Sequence, residues 1–100
     1  MNRIVSDKIP QVAQLCKAHH VKALYAFGSV LTERFDSNSD VDLMVDFDKE
    51  AIEDHFLHYF DFKYSLEDLL HRKVDLLESE TIRNPVLRRS IDRNKQLIYG

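Results

Sequence analysis

Apolar residues recur along this chain with two different periods. Between residue 7 and about residue 19 they fall at helical spacing (Ile9, Val12, Leu15, Cys16), with Pro10 tolerated in a first turn capped by Ser6 or Asp7. Lys22 to Phe27 is then a short, nearly continuous apolar run, the pattern of a largely buried strand. From Val41 to Phe47 the period becomes two. Val41, Leu43, Val45 and Phe47 fall on one side, with Asp40, Asp42, Met44 and Asp46 on the other. Between the two strands a brief helix is expected from Ser29 to Glu33 or Arg34. A turn follows at Asp36-Ser37-Asn38-Ser39.

The second half alternates in the same way. Residues 51–70 carry Ile52, Phe56, Tyr59, Phe60, Leu66, Leu69 and Leu70, an amphipathic pattern with aromatic weight. Ser65-Leu66-Glu67-Asp68 has the composition of a helix start, so the stretch reads as one helix or two. Lys73 to Leu77 is a third strand with Asp75 in its middle. Asn84-Pro85 opens a last helix through Val86, Leu87 and Ile91, and Gln96 to Tyr99 is an edge strand or a docked terminus. Phe56, Tyr59, Phe60, Phe62 and Tyr64 read as core, and His55 with His58 as helix surface. Adjacent His19 and His20 point apart and make a poor metal pair; surface or helix C-terminal roles are expected. The whole describes one α/β domain over residues 1–100, a small mixed β-sheet with helices packed on one face.

One hundred residues with 44% hydrophobic and 31% charged side chains fit an ordinary globular domain. A net charge of −3 argues against bulk electrostatic binding of nucleic acid. The charge is uneven: residues 1–70 hold seven Lys/Arg against thirteen Asp/Glu, and residues 71–100 seven against four. Cys16 is the only cysteine, so no internal disulfide forms; it is expected to be packed in a reducing compartment. No apolar run approaches about 20 residues, and a cytoplasmic protein with no membrane association is expected.

The chemistry concentrates between the first two strands. Gly28-Ser29 leaves a buried strand at a helix start, where backbone N–H groups favour an anion. Asp40 and Asp42, two apart at the start of a strand, point to the same face. Like charges so close repel unless a cation intervenes, and hard divalent ions take oxygen ligands. Asp75 sits between Val74 and Leu76, where a buried charge is costly unless paired or bound to metal. It either joins Asp40 and Asp42 around Mg2+, takes a proton as general base, or pairs with Lys73, Arg72 or a helix N-terminus.

Gly28-Ser29, ten residues, then Asp40-Val41-Asp42-Leu43 resembles the signature of the DNA polymerase β-like nucleotidyltransferases. Lys73-Val74-Asp75-Leu76-Leu77 is similar to the third-carboxylate strand of that superfamily. The short length and the C-terminal stretch from Arg83-Asn84-Pro85 resemble the minimal nucleotidyltransferases (MNT proteins), frequent antitoxin partners of HEPN toxins. The resemblance implies the nucleotidyltransferase fold, with Gly28 and Ser29 holding the triphosphate of ATP. It further implies Asp40, Asp42 and Asp75 as catalytic metal ligands for Mg2+, with Asp75 activating the acceptor hydroxyl. AMP would pass from ATP to a partner protein, a HEPN-type toxin. Many relatives carry Arg-Gly after the Gly-Ser segment; here Leu31-Thr32-Glu33 stands in that place and Arg34 follows. Arg34 either reaches the phosphates or pairs on the surface with Asp36 or Glu33. Two rival functions stay open: a binding-only antitoxin, and a transferase for a small hydroxylated molecule with its pocket built across a homo-oligomer.

Overall fold

The computed structural model describes all residues from Met1 to Gly100. Four strands, β1 (Val21–Phe27), β2 (Val41–Phe47), β3 (Val74–Glu78) and β4 (Gln96–Tyr99), form one sheet in the order β3-β2-β1-β4. β1 runs antiparallel to both β2 and β4, whereas β2 and β3 are parallel. A parallel neighbour needs a long return connection, and the chain supplies it with the sixteen-residue helix α3 (His55–Leu70). Three further helices are α1 (Arg3–Ser6), α2 (Ile9–Ala18) and α4 (Pro85–Asn94).

The alternation in β2 is realised as read: Val41, Leu43, Val45 and Phe47 are buried in the core cluster. Leu24 and Ala26 of β1 and Val74 and Leu76 of β3 join them from the same face. α2 covers that face with Val12 and Cys16, and α3 with Phe62, Leu66 and Leu70, both at four-residue spacing. Burial pushes the Cys16 thiol up to about 12, so it is a packed, unreactive side chain. Met44 and Ile91 are buried outside this cluster.

Three expectations are corrected, and one alternative left open is settled. The helix expected over residues 7–19 is α2, and a short α1 that was not expected precedes it, capped by the Asn2 side chain accepting from Ile4 N–H (2.9 Å) and pinned by Asn2 N–H donating to Val30 O (2.8 Å). Ser6 therefore ends α1, and α2 begins after Lys8 without a side-chain cap. Of the two alternatives left open for residues 51–70, the structure has one helix running through Ser65, and the Glu67 side chain accepts from Val74 N–H (2.9 Å).

Among the aromatics only Phe62 is fully buried. Phe56 is 69% and Tyr64 55% exposed, with Phe60 ringed between them at centroid distances of 4.9 and 5.8 Å. The histidines of α3 are not free surface either. His55 Nε2 lies 2.5 Å from Glu78 Oε1, and His58 donates to His19 O while its ring packs on His20 and Phe47. His19 does take the C-terminal role, its Nδ1 2.8 Å from Leu15 O. No helix is long and apolar enough to cross a membrane.

Candidate active site

β1 leaves the core at Phe27, and the chain turns at Gly28 with φ +74°, the left-handed region that glycine alone enters freely. The turn continues as a single 3-10 helix, Gly28–Leu31, held by Thr32 N–H and Thr32 Oγ1 both donating to Ser29 O at 2.9 Å. It is shorter than the helix read from the sequence. Any anion here meets individual N–H groups of a four-residue turn, with little macrodipole behind them.

The backbone of Gly28 lies directly against the Asp42 carboxylate. A Cβ placed on Gly28 would fall 2.4 Å from Asp42 Oδ2, so the turn is a cradle that only glycine leaves open. Asp42 is opposite Phe27 in the β1–β2 ladder and opposite Asp75 in the β2–β3 ladder. Side chains paired across a ladder share a face, so Phe27, Asp42 and Asp75 stand side by side at one end of the sheet. Asp40, two residues before Asp42, lies just outside the strand on the incoming loop.

None of the six ion pairs contains Asp40, Asp42 or Asp75. The alternative partners for Asp75 are otherwise engaged or absent: Arg72 bonds elsewhere, and Lys73 forms no ion pair. Asp75 is also exposed, so the argument from a buried charge does not apply to it; its position in register with Asp42 does. The carboxylates nevertheless act on one another. Burial first, then the charges of Asp75 and Asp40, push the Asp42 carboxyl up from 3.8 to about 6. Tyr59, whose hydroxyl donates to Leu76 O at 2.5 Å, is raised by burial and by the charges of Asp75 and Glu78.

Carboxylates without ion-pair partners, two of which push the third's pKa up, are a hard-oxygen donor set of the kind Mg2+ takes. The residues present fit that ion. As they are placed, no three acidic, histidine or cysteine side chains converge closely enough to hold a metal ion by themselves. Asp42 is brought against Gly28 and into register with Asp75, Asp40 lies two residues before it on the incoming loop, and Ser29 follows Gly28 on the turn. Arg34 is exposed and makes no ion pair with Asp36 or Glu33, so its guanidinium is uncommitted.

Sequence reasoning weighed Arg72 only as a partner of Asp75. Its guanidinium instead donates to Asp36 O (2.5 Å) and Ser39 O, and stacks 4.4 Å over the Phe35 ring. It thereby clamps the loop that delivers Asp40. That loop is further tightened by the Asp36 side chain accepting from Asn38 N–H (2.9 Å) and Ser39 Oγ (3.1 Å). Arg72→Leu is expected to lower stability by about 1–2 kcal/mol, since charge-assisted hydrogen bonds are lost. Turnover should fall about tenfold as Asp40 loosens, a loss of about 1.4 kcal/mol in the transition state. Arg72→Lys should recover little, because an ammonium cannot fork between two carbonyls and a ring. Thermal melts and rate measurements on both variants check this.

Over residues 10–100 the chain matches the family described as Polymerase beta, Nucleotidyltransferase. It is 36% identical over 81 residues to the Methanocaldococcus jannaschii protein named "Putative protein adenylyltransferase MJ1379", a span of 81% of this chain and 78% of that one. A solved structure of a "putative minimal nucleotidyltransferase" superposes with a TM-score of 0.79 at 28% identity, covering 96% of this chain and 95% of the other. The fold is shared, at 18% identity and a TM-score of 0.67, with a chain in the complex of tri-AMPylated Shewanella oneidensis HEPN toxin and MNT antitoxin. That match covers 95% of this chain and 71% of the other. With its Gly-Ser turn, its carboxylates and nearly all its length inside the match, the chain belongs to the polymerase β-type nucleotidyltransferases, in their minimal form.

Proposed function

We propose that the protein transfers AMP from ATP to a hydroxyl group of a partner protein, with Mg2+, as the antitoxin half of a HEPN/MNT pair. The observation that carries this reading is the register of Asp42 with Asp75, next to a glycine turn packed on the Asp42 carboxylate. Asp40, Asp42 and Asp75 would hold Mg2+, which when bound neutralises phosphate charge and lowers the pKa of the attacking hydroxyl. The N–H groups of the Gly28-Ser29 turn and the Ser29 hydroxyl would bind the triphosphate, and Arg34, three residues beyond the turn, would reach it. The acceptor oxygen attacks the α-phosphorus as the bond to the β-phosphate breaks. Pyrophosphate leaves, and the hydroxyl proton passes to Asp75 and on to solvent.

A protein acceptor is supported by three facts. The relative from Methanocaldococcus jannaschii is named "Putative protein adenylyltransferase MJ1379". A structural neighbour is an MNT antitoxin complex whose toxin is AMPylated. The domain also leaves Phe56, Leu57 and Tyr64 of α3 and Val86 of α4 more than half exposed, apolar surface suited to a partner. The test is incubation with labelled ATP, Mg2+ and the protein encoded next to this one, repeated with Asp42→Asn. Label on the partner that vanishes in the variant is the expected result. Neutralisation of a toxin without label, surviving the substitution, would leave a binding-only antitoxin. Label on an added aminoglycoside alone would make the acceptor a small molecule.

A further inference from the structure

Asp75 stands on an outermost strand of the sheet. β3 has β2 on one side and no strand on the other. Backbone groups of successive residues in a strand point to opposite edges. Lys73 O accepts from Val41 N–H at 2.9 Å, so Lys73, Asp75 and Leu77 turn their N–H and C=O groups towards β2. Val74, Leu76 and Glu78 turn theirs towards the open edge. A row of unpaired groups there would let the strand fray or pair with another chain.

Side chains close that edge instead. Glu67 of α3 accepts from Val74 N–H at 2.9 Å, and the Tyr59 hydroxyl donates to Leu76 O at 2.5 Å. Both come from one helix, which is itself anchored by the buried Phe62, Leu66 and Leu70. Their two bonds fall on the residues immediately before and after Asp75. A third bond, from Thr81 Oγ1 to Glu78 O at 2.9 Å, closes the far end of the strand.

The bonds from α3 oppose a definite force. Asp75 is in register with Asp42, and like charges on adjacent strands repel. With no further strand beyond it, β3 yields outwards, and α3 supplies the restraint on that side. We propose that Tyr59 and Glu67 are positioning residues for Asp75, a two-point clamp on the β3 backbone that keeps its carboxylate in place beside Asp42. They act through Val74 and Leu76, not by contact with substrate. This inference rests on the nucleotidyl-transfer reading above, in which Asp75 completes the Mg2+ site and takes the acceptor's proton, and it names what holds Asp75 still. A displacement of about 1 Å at a reacting group costs on the order of a hundredfold in rate.

The test compares three edge bonds that differ in their distance from Asp75. Tyr59→Phe, Glu67→Met and Thr81→Val each remove one of them, so each is expected to lower the melting temperature by about 5 °C. Mg2+ affinity, read by calorimetric titration of the full chain with MgCl2 alone, should fall about tenfold in the first two variants and stay unchanged in Thr81→Val. Transfer of label from ATP to the protein encoded next to this one, at saturating Mg2+, should show the same split. For Tyr59→Phe and Glu67→Met kcat drops about tenfold with KM for ATP unchanged, and Thr81→Val matches wild type. Glu67→Gln keeps an oxygen that accepts from Val74 N–H and should restore both readouts. Lower melting temperatures with Mg2+ affinity and kcat intact would make the two bonds merely structural and overturn the clamp. An equal loss of Mg2+ affinity in Thr81→Val overturns it too. If the unaltered chain neither binds Mg2+ nor transfers label, the nucleotidyl-transfer reading fails, and the clamp with it.

Discussion

Asp42→Asn is expected to reduce nucleotidyl transfer on the order of a thousandfold, about 4 kcal/mol of transition-state stabilisation, and at the same time to make the resting protein more stable at neutral pH. The first effect follows from removing a charged oxygen at the point where β2, β3 and the Gly28 turn meet. The second follows from the cause of its raised pKa. Burial and the charges of Asp75 and Asp40 disfavour the ionised carboxylate in the folded state, so its pKa stands at about 6 against an ordinary 3.8. A carboxyl raised on folding binds its proton more tightly in the folded chain than in the unfolded one. Its contribution is therefore most favourable below the unfolded value, declines as pH rises from about 4 through 6, and is unfavourable by a constant amount above that. The full separation would convert to about 3 kcal/mol; for a half-exposed group screened by solvent, about 1 kcal/mol is a fair expectation.

The asparagine variant should accordingly melt about 5 °C higher than wild type at pH 7.5, with the difference shrinking towards pH 4. Added Mg2+ reverses the order. Binding to the folded state stabilises by RT ln(1 + [L]/Kd), about 2.7 kcal/mol at a hundredfold excess over Kd, and the variant should forgo most of this. Thermal melts across pH, with and without Mg2+, read all three outcomes. A wild-type melting temperature that ignores Mg2+ and an unimpaired variant would together remove the carboxylates from the chemistry.

How far the site was legible in the sequence depends on which forces placed each residue. The strands and their faces were readable because alternation is local: Val41, Leu43, Val45 and Phe47 can be buried together only if Asp42 turns the other way. The start of α4 was readable from Asn84-Pro85, and Asn84 Oδ1 does accept from Val86 N–H at 2.9 Å. That Asp75 joins Asp40 and Asp42 was one alternative left open, and the pairing of β2 with β3 that it needs turned on long-range packing of α3 as the return connection. What the sequence could not express were contacts between distant residues. α1 exists because Asn2 meets Val30, and Glu67 within α3 serves Val74. Arg72 belongs to the Asp40 loop 33 and 36 residues earlier, a link that no spacing rule suggests. Aromatic side chains at helical spacing looked like core, yet Phe56 and Tyr64 face outward. A core already filled by Phe62, Leu66 and Leu70 has no room for a second stripe.

Gly28→Ala is expected to be the most damaging single methyl in the molecule, lowering stability by about 2–3 kcal/mol and transfer by at least a hundredfold. Two separate causes contribute. A left-handed φ of +74° costs a residue with a Cβ roughly 1–2 kcal/mol wherever it occurs. The new carbon would also fall 2.4 Å from Asp42 Oδ2 and 3.3 Å from its Cγ, so the carboxylate must rotate away from the turn. A double-substitution cycle separates the two. Asp42→Ala removes both atoms that clash, leaving Asp42 Cβ at an ordinary 3.4 Å, so in that background Gly28→Ala should lose only the backbone share of its effect, about 1–2 kcal/mol. Urea titrations of the four proteins give the coupling. A clear difference between backgrounds is expected, because the glycine is needed here to let a carboxylate approach the backbone. An effect of equal size in both would show that Gly28 serves the turn alone, and that the contact with Asp42 is incidental to how the site is held.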